Sequence, residues 1–185
     1  MGSLNIISRS DEPFTDRQQA AQLLGEHLGD YAKITPVVAG IPRGGVVIAE
    51  GLADMLGGQL DIVLTRKLGA PSNPELAIGS VAENGKVFLN QRVVSLTGAS
   101  EDYIQQEKEN ELARIEQRAK NYRQVLEKTP LEWKTVILTD DGVATGSTMQ
   151  ASVWSVRAES PEKIIVALPV APEDSLEMLA KDADE

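Results

Sequence analysis

The stretch VILTDDGVATGSTM, residues 136–149, decides the fold predicted for this chain. It begins as a buried strand, continues with the adjacent carboxylates Asp140 and Asp141, and passes through a turn of small residues into a helix. In an open α/β sheet, ligands bind at the carboxyl ends of the strands, where unpaired N–H groups of a following helix face the ligand. The stretch therefore predicts a ligand site at the edge of a parallel sheet.

The turn and the two carboxylates suit different parts of one ligand. Backbone amides and hydroxyls suit a phosphate group, and the turn offers them at Ala144, Thr145, Gly146, Ser147 and Thr148. Carboxylates repel phosphate, so Asp140 and Asp141 fit neighbouring sugar hydroxyls or a divalent cation. The pattern predicts a ligand that carries a phosphate beside hydroxyl groups or a cation.

Composition limits the class of protein. The chain has 185 residues, of which 42% are hydrophobic and 25% charged, enough for one α/β domain over residues 1–185. A net charge of −10 argues against nucleic-acid and anionic-membrane partners, which want a basic face. The absence of cysteine excludes disulfides and thiolate metal sites. Without a long apolar run or a signal-like N-terminus, we expect a soluble cytoplasmic protein.

Two upstream segments place cations at strand ends. The sequence VVAGIPRGG, residues 37–45, predicts a strand, a turn with Arg43 and Gly44, and a helix, and its guanidinium and free amides together suit a pyrophosphate. A second strand, predicted over residues 61–65, leads into Arg66 and Lys67. Two adjacent cations can neutralise a phosphate chain, although a solvent-facing role for Arg66 is an equal alternative.

The remaining pattern predicts an open, mainly parallel twisted sheet flanked by helices. The other predicted elements are an irregular N-terminus to about residue 13, a helix over 15–31 with Thr15 as N-cap, a hairpin and flexible region over about 69–99, a long inserted amphipathic helix over about 100–127, and a strand over 163–170. A short helical stretch follows. We interpret Arg17, at the start of the first helix, as an ion-pair residue.

At these motifs the chain resembles the type I phosphoribosyltransferases. Residues 136–149 resemble the family's ribose 5-phosphate signature, residues 37–45 its pyrophosphate loop, and residues 61–69 the next strand with its basic end. The run RKLGAPSNPELAIG, residues 66–79, is most similar to phosphoribosyltransferases related to those fused to dienelactone-hydrolase-like domains. The resemblance covers roughly residues 14–185 and includes the pair Asp16 and Arg17. The family's further C-terminal strand has no counterpart here.

The resemblance implies transfer of ribose 5-phosphate from 5-phosphoribosyl-1-pyrophosphate to a nitrogenous acceptor, expected to be a nucleobase, with release of pyrophosphate. It assigns the 5-phosphate to residues 144–148, the ribose hydroxyls to Asp140 and Asp141, and the pyrophosphate to Arg43, Gly44, Lys67 and Arg66. It also implies Mg²⁺, held mainly by the donor with Asp140 or Asp141 as candidate ligands and no dedicated protein site. A homodimer, a cis peptide bond near Pro42–Arg43 and closure of the 70–90 region over the site are further expectations.

The sequence leaves alternatives open for the acceptor and for the activity. Ala144 stands where family members acting on 6-oxopurines have an acid, so the signature looks more like the adenine type. A non-catalytic regulatory module that binds the same donor is one alternative function. Another nucleotide-binding enzyme, such as a hydrolase or kinase, is a second, although the chain lacks the Gly-x-x-x-x-Gly-Lys-Ser/Thr loop.

Overall fold

The computed structural model describes residues 2–185, which form two β-sheets and six α-helices within that range. A parallel sheet has the strand order β2-β1-β6-β7, made of β1 (Val37–Gly40), β2 (Gln59–Ile62), β6 (Thr135–Thr139) and β7 (Lys163–Ala167). An antiparallel sheet comprises β3 (Thr65–Ala70), β4 (Asn73–Ala82) and β5 (Val87–Leu89). The helices are α1 (Arg17–His27), α2 (Gly44–Leu56), α3 (Gln91–Thr97), α4 (Glu101–Tyr122), α5 (Ser147–Arg157) and α6 (Glu173–Leu179).

Helices cover both faces of the parallel sheet. On one face, Ile137 of β6 packs with residues of α1 and α2 such as Ile48. On the other face, Leu138 packs with α5 and α6, where Met149 is fully buried. Burial of one such side chain contributes about 1.5–3 kcal/mol. The predicted α/β fold class is confirmed, and this packing fixes the carboxyl ends of β1 and β6 side by side.

The antiparallel sheet forms a second layer beside the first. Leu68 and Ile78 of this sheet pack against Ile115 of α4, and α5 contacts strands of both sheets. The hairpin predicted around Asn84 and Gly85 is present between β4 and β5, with Gly85 at a φ of 76°. The same region, residues 69–99, also contains helix α3, which was not predicted from the sequence.

The strand predicted over residues 61–65 was wrong. Strand β2 ends at Ile62, and the chain then leaves the parallel sheet because the Leu64 carbonyl accepts a hydrogen bond from the Glu83 amide at 3.2 Å. From Thr65 onward the chain pairs antiparallel with β4, beginning opposite Ala82. The two cations of this segment therefore lie within a strand of the second sheet rather than after a strand of the first.

The start and end of α1 and the end of α4 differ from the prediction. Helix α1 begins later than expected because Asp16, not Thr15, is its N-cap, accepting from the Gln19 amide at 2.8 Å. It ends at His27, and a 3₁₀ helix spans Gly29–Ile34. Ser100 caps α4 as predicted, but α4 ends at Tyr122, short of the predicted residue 127.

At the C-terminal side, no strand follows β7 within residues 2–185. The Asp184 amide donates to the Ile164 carbonyl at 2.9 Å, and the Glu185 carbonyl accepts from the Val166 amide at 2.8 Å. Residues 184 and 185 therefore lie against the outer edge of β7. Over the same described range, the helices are too short or too polar to cross a membrane.

Candidate active site

Asp140 and Asp141 follow directly after β6 and lie against the loop between β1 and α2. The Asp140 carboxylate accepts a hydrogen bond from the Asp141 amide at 2.8 Å. A Cβ atom added to Gly45 would come within 2.8 Å of the Asp140 Cα, and one added to Gly44 would overlap the Asp141 carboxylate. The two glycines thus let the β1–α2 loop touch the carboxylate pair, so Gly44 of the predicted pyrophosphate residues lies beside the predicted ribose residues.

The two carboxylates differ in environment. The pKa of Asp140 is raised from 3.8 to about 6, mainly by burial; the neighbouring Asp141 adds to the rise, and hydrogen bonds from the Asp141 and Gly45 amides partly oppose it. The Asp141 carboxylate is instead held by a cation. Asp140 therefore takes up a proton as the pH falls through 6.

Arg17 supplies that cation. Its Nε and Nη2 donate to Asp141 Oδ2 at 2.9 and 2.5 Å. The interpretation of Arg17 as an ion-pair residue is confirmed, but its partner lies 124 residues away and was not foreseen. The only local signal was its position at a helix start next to the N-cap Asp16. Arg17 therefore joins α1 to the carboxylate pair.

The predicted phosphate loop turns at two glycines with positive φ, Gly142 at 155° and Gly146 at 71°. Gly146 is the N-cap of α5, and the first α5 amide bonded to it is that of Gln150, at 2.8 Å. The amides before Gln150 point out of the helix start as in any first turn. The Ser175 hydroxyl of α6 donates to the Ala144 carbonyl at 2.9 Å, which anchors the loop. The geometry is that of an anion-binding helix start.

The predicted pyrophosphate residues fall into two groups. Arg43 is exposed at the N-cap of α2, and its side chain has no ion-pair partner among residues 2–185. The Pro42–Arg43 peptide bond is cis, as the resemblance implied. Gly44 therefore adjoins the Asp141 carboxylate, and Arg43 precedes it in the chain.

Arg66 and Lys67 are consecutive strand residues and point to opposite faces of β3. Arg66 Nε donates to Glu111 Oε2 of α4 at 2.6 Å, and this glutamate is buried. Lys67 Nζ donates to the exposed Glu75 carboxylate at 2.7 Å. Arg66 is thus bound to α4, while Lys67 lies on the other face of β3, where water can replace its exposed partner Glu75.

The donor set fits a magnesium ion shared with phosphates. Within residues 2–185 no three Asp, Glu or His groups converge as a metal-binding cluster. Mg²⁺ keeps several waters and is commonly held by one or two carboxylates plus substrate phosphates. Asp140 and Asp141 meet that requirement and remain the candidate protein ligands.

Known proteins resemble this chain in sequence and architecture. A family model described as a phosphoribosyl transferase domain matches residues 15–185. Relatives from Mycobacterium tuberculosis strains CDC 1551 and H37Rv, whose names assign phosphoribosyl transferase activity only provisionally, are each 36% identical over 172 residues. The match covers 93% of this chain but only 39% of those curated relatives. The crystal structure of TT1426 from Thermus thermophilus is 42% identical with a TM-score of 0.88, covering 94% of this chain and 82% of that chain.

Proposed function

The chain belongs to the phosphoribosyl transferase domain family, and on that premise we propose that it transfers ribose 5-phosphate from 5-phosphoribosyl-1-pyrophosphate to a nitrogenous acceptor, releasing pyrophosphate. One observation carries the proposal. The Asp140–Asp141 pair, the Gly44 loop and the amide-rich start of α5 meet at the carboxyl edge of the parallel sheet. Each suits a different part of that donor, and together they match its order of 5-phosphate, ribose and pyrophosphate.

The 5-phosphate is assigned to the loop before α5. Unpaired amides at a helix start attract anions, and the helix dipole adds a partial positive charge there. The hydroxyls of Thr145 and Ser147 lie 3.2 Å apart and can turn toward a phosphate oxygen. The assigned residues are Ala144, Thr145, Gly146, Ser147 and Thr148.

The ribose hydroxyls are assigned to Asp140 and Asp141. As the bond from the anomeric carbon to pyrophosphate loosens, positive charge builds on the sugar ring. Two fixed carboxylates nearby stabilise that charge more in the transition state than in the ground state, which is what accelerates a reaction. No protein nucleophile is required in this scheme.

The leaving pyrophosphate is assigned to Arg43, the Gly44 amide and Lys67. Lys67 must leave Glu75, but an exposed ion pair is worth less than about 1 kcal/mol, so a phosphate can replace it. Arg66 carries the weaker assignment because its pair with the buried Glu111 holds it on the α4 face. When bound, Mg²⁺ supplies positive charge to the departing pyrophosphate, with Asp140 or Asp141 as its protein ligands.

Two other functions are compatible with membership of this family. A regulatory module would bind the donor without transferring it, and a different nucleotide-binding enzyme would prefer ATP or GTP. We also propose that the protein is a cytoplasmic homodimer. Its partners are small molecules, and it binds neither nucleic acid nor membranes. Gel filtration with light scattering tests the dimer.

Pyrophosphate release tests the activity. Purified protein with Mg²⁺ and the donor is supplied with a panel of nitrogenous rings, and released pyrophosphate is followed by a coupled assay. The proposal predicts acceptor-dependent release that the double variant D140N/D141N lacks. Tight donor binding with no release for any ring would favour the regulatory module, and preferential ATP binding would favour the other enzyme.

A further inference from the structure

Beside Asp141 the surface opens into a cleft of about 200 Å³, and Asp141 is the one residue of its lining that is assigned to the donor. Helices α1 and α2, the carboxylate after β6 and the segment after β7 all border it, through Phe14, Asp16, Arg17, Ile48, Asp141 and Pro169. A cleft of this size has room for a small ring.

The apolar part of the cleft suits a flat ring. Ile48 is buried and belongs to the core between α1, α2 and the parallel sheet. Phe14 and Pro169 are half-buried ring side chains. Binding sites for small molecules commonly combine such apolar walls with a few polar groups that fix orientation. The polar groups here are consecutive residues.

Asp16 and Arg17 present one free acceptor and one free donor. Asp16 Oδ1 caps α1 through the Gln19 amide, and Asp16 Oδ2 accepts no hydrogen bond within residues 2–185. Arg17 directs Nε and Nη2 to Asp141, and its Nη1 has no partner over the same range. A ring edge that pairs with both must carry an N–H beside a hydrogen-bond acceptor.

Charge in the cleft argues for a neutral ring. Arg17 compensates Asp141, so Asp16 is the carboxylate of the lining left without a cation. A ring carboxylate would be repelled by Asp16 and would offer it no N–H. Asp141 borders both the cleft and the assigned ribose position, so a ring held here is adjacent to the sugar.

We propose that this cleft binds the acceptor ring, and that Asp16 and Arg17 select a neutral ring bearing an N–H donor beside an acceptor over a ring carboxylate. The inference rests on the proposed function, because it takes the ribose position from it. It assigns Asp16 and Arg17 to acceptor specificity rather than to donor binding.

Nicotinamide and nicotinate provide a matched pair of probes, because one ring carries a neutral amide and the other a carboxylate. Both are titrated into the full chain, with and without Mg²⁺, pyrophosphate and ribose 5-phosphate, and adenine serves as a fused-ring probe. One hydrogen bond to a charged group distinguishes the pair, so nicotinamide should bind about tenfold more tightly than nicotinate.

Asp16→Asn is the deciding variant. Asparagine is also a good N-cap, so α1 should be retained. Its carbonyl must take the capping position, which leaves an NH₂ donor where Oδ2 was. The preference should then reverse toward nicotinate. Asp102→Asn, the same change in the exposed first turn of α4, should leave both affinities unchanged.

Two results would overturn the inference: a wild-type preference for nicotinate, or a preference that Asp16→Asn does not alter. Failure of all three rings to bind, in a preparation that binds the phosphoribosyl donor, would also overturn it and leave the proposed function standing. Failure to bind the donor counts instead against the proposed function. Thermal unfolding of each variant checks that the fold is retained.

Discussion

Two arginines in this chain each hold an aspartate at the carboxyl end of a parallel strand, and they do so in opposite ways. Arg123, just after α4, donates to Asp61 of β2 at 2.6 Å and to both oxygens of Glu83, and it also reaches the carbonyls of Ile62 and Leu126. The Asp61 side chain is 2% exposed. Arg17 makes two contacts with a single oxygen of Asp141, and its own side chain is 55% exposed.

The difference separates stability from ligand binding. Around Arg123, one guanidinium serves both carboxylates and the remaining Asp61 oxygen accepts from the Thr129 amide at 2.9 Å, so every carboxylate oxygen already has a partner. Around Arg17, donors and acceptors remain open beside a cleft. We call this region, with Arg17, Asp140, Asp141 and the β1–α2 loop, the open side. The Arg123–Asp61 pair, whose hydrogen bonds are all made within the protein, fixes the second sheet and α4 to the parallel sheet. The Arg17–Asp141 pair has unused donors and acceptors, so it can exchange partners when a ligand binds.

The largest expected effect comes from removing the carboxylates on the open side. D140N/D141N should lower donor-dependent turnover by about a thousandfold or more, because loss of one electrostatic contact to a transition state costs about a hundred- to a thousandfold. Turnover is measured by pyrophosphate release. Asp30→Asn, which changes an exposed carboxylate paired with Lys33, is the control and should retain wild-type turnover. Equal losses in both proteins would contradict the assignment.

Removing each arginine tests the comparison itself. Arg123→Ala should lower the free energy of unfolding by about 3–5 kcal/mol, because it leaves Asp61 buried without its cation. Arg17→Ala should lower it by less than about 1 kcal/mol, because the pair is exposed. Urea denaturation measures both. Similar losses of stability in the two variants would show that the pairs do not differ as described.

The next effect concerns the close packing of the β1–α2 loop on the open side. Gly44→Ala places a methyl group on the Asp141 carboxylate, and overpacking of this kind costs about 1–3 kcal/mol. Donor affinity should fall roughly tenfold or more, measured by calorimetric titration. Gly29→Ala, whose Cβ would meet nothing within 4 Å, is the matched control. Unchanged donor affinity in Gly44→Ala would show that the β1–α2 loop is not part of the donor site.

The smallest effect is a pH dependence of stability. The pKa of Asp140 is about 6 in the folded protein against 3.8 for the free group, so the folded state holds the proton over that interval. The unfolding free energy should therefore decrease as the pH rises from about 4 through 6. Asp140→Asn should flatten this part of the profile, measured by urea denaturation at several pH values. The same slope in the variant would assign it to other groups.

Local patterns explain which parts were predictable. Strand β6, the carboxylates and the start of α5 follow one another in the chain, so their arrangement could be predicted from residues 136–149. The ion pair between Arg17 and Asp141 could not, because only tertiary packing brings α1 to the end of β6. Likewise, the run DIVLT, residues 61–65, does not reveal that the chain leaves one sheet for another near Leu64, so Arg66 and Lys67 were expected after a strand of the first sheet rather than within β3. Asn90 and Gly98, the caps of α3, were the overlooked local signal.

The central claim is that the open side binds the phosphoribosyl donor. Calorimetric titration of the purified chain with 5-phosphoribosyl-1-pyrophosphate, with and without Mg²⁺ and beside ATP, tests it most directly. We predict binding that requires Mg²⁺, exceeds that of ATP and is lost in D140N/D141N but kept in Asp30→Asn. Absence of donor binding, or binding that D140N/D141N retains, would contradict the claim.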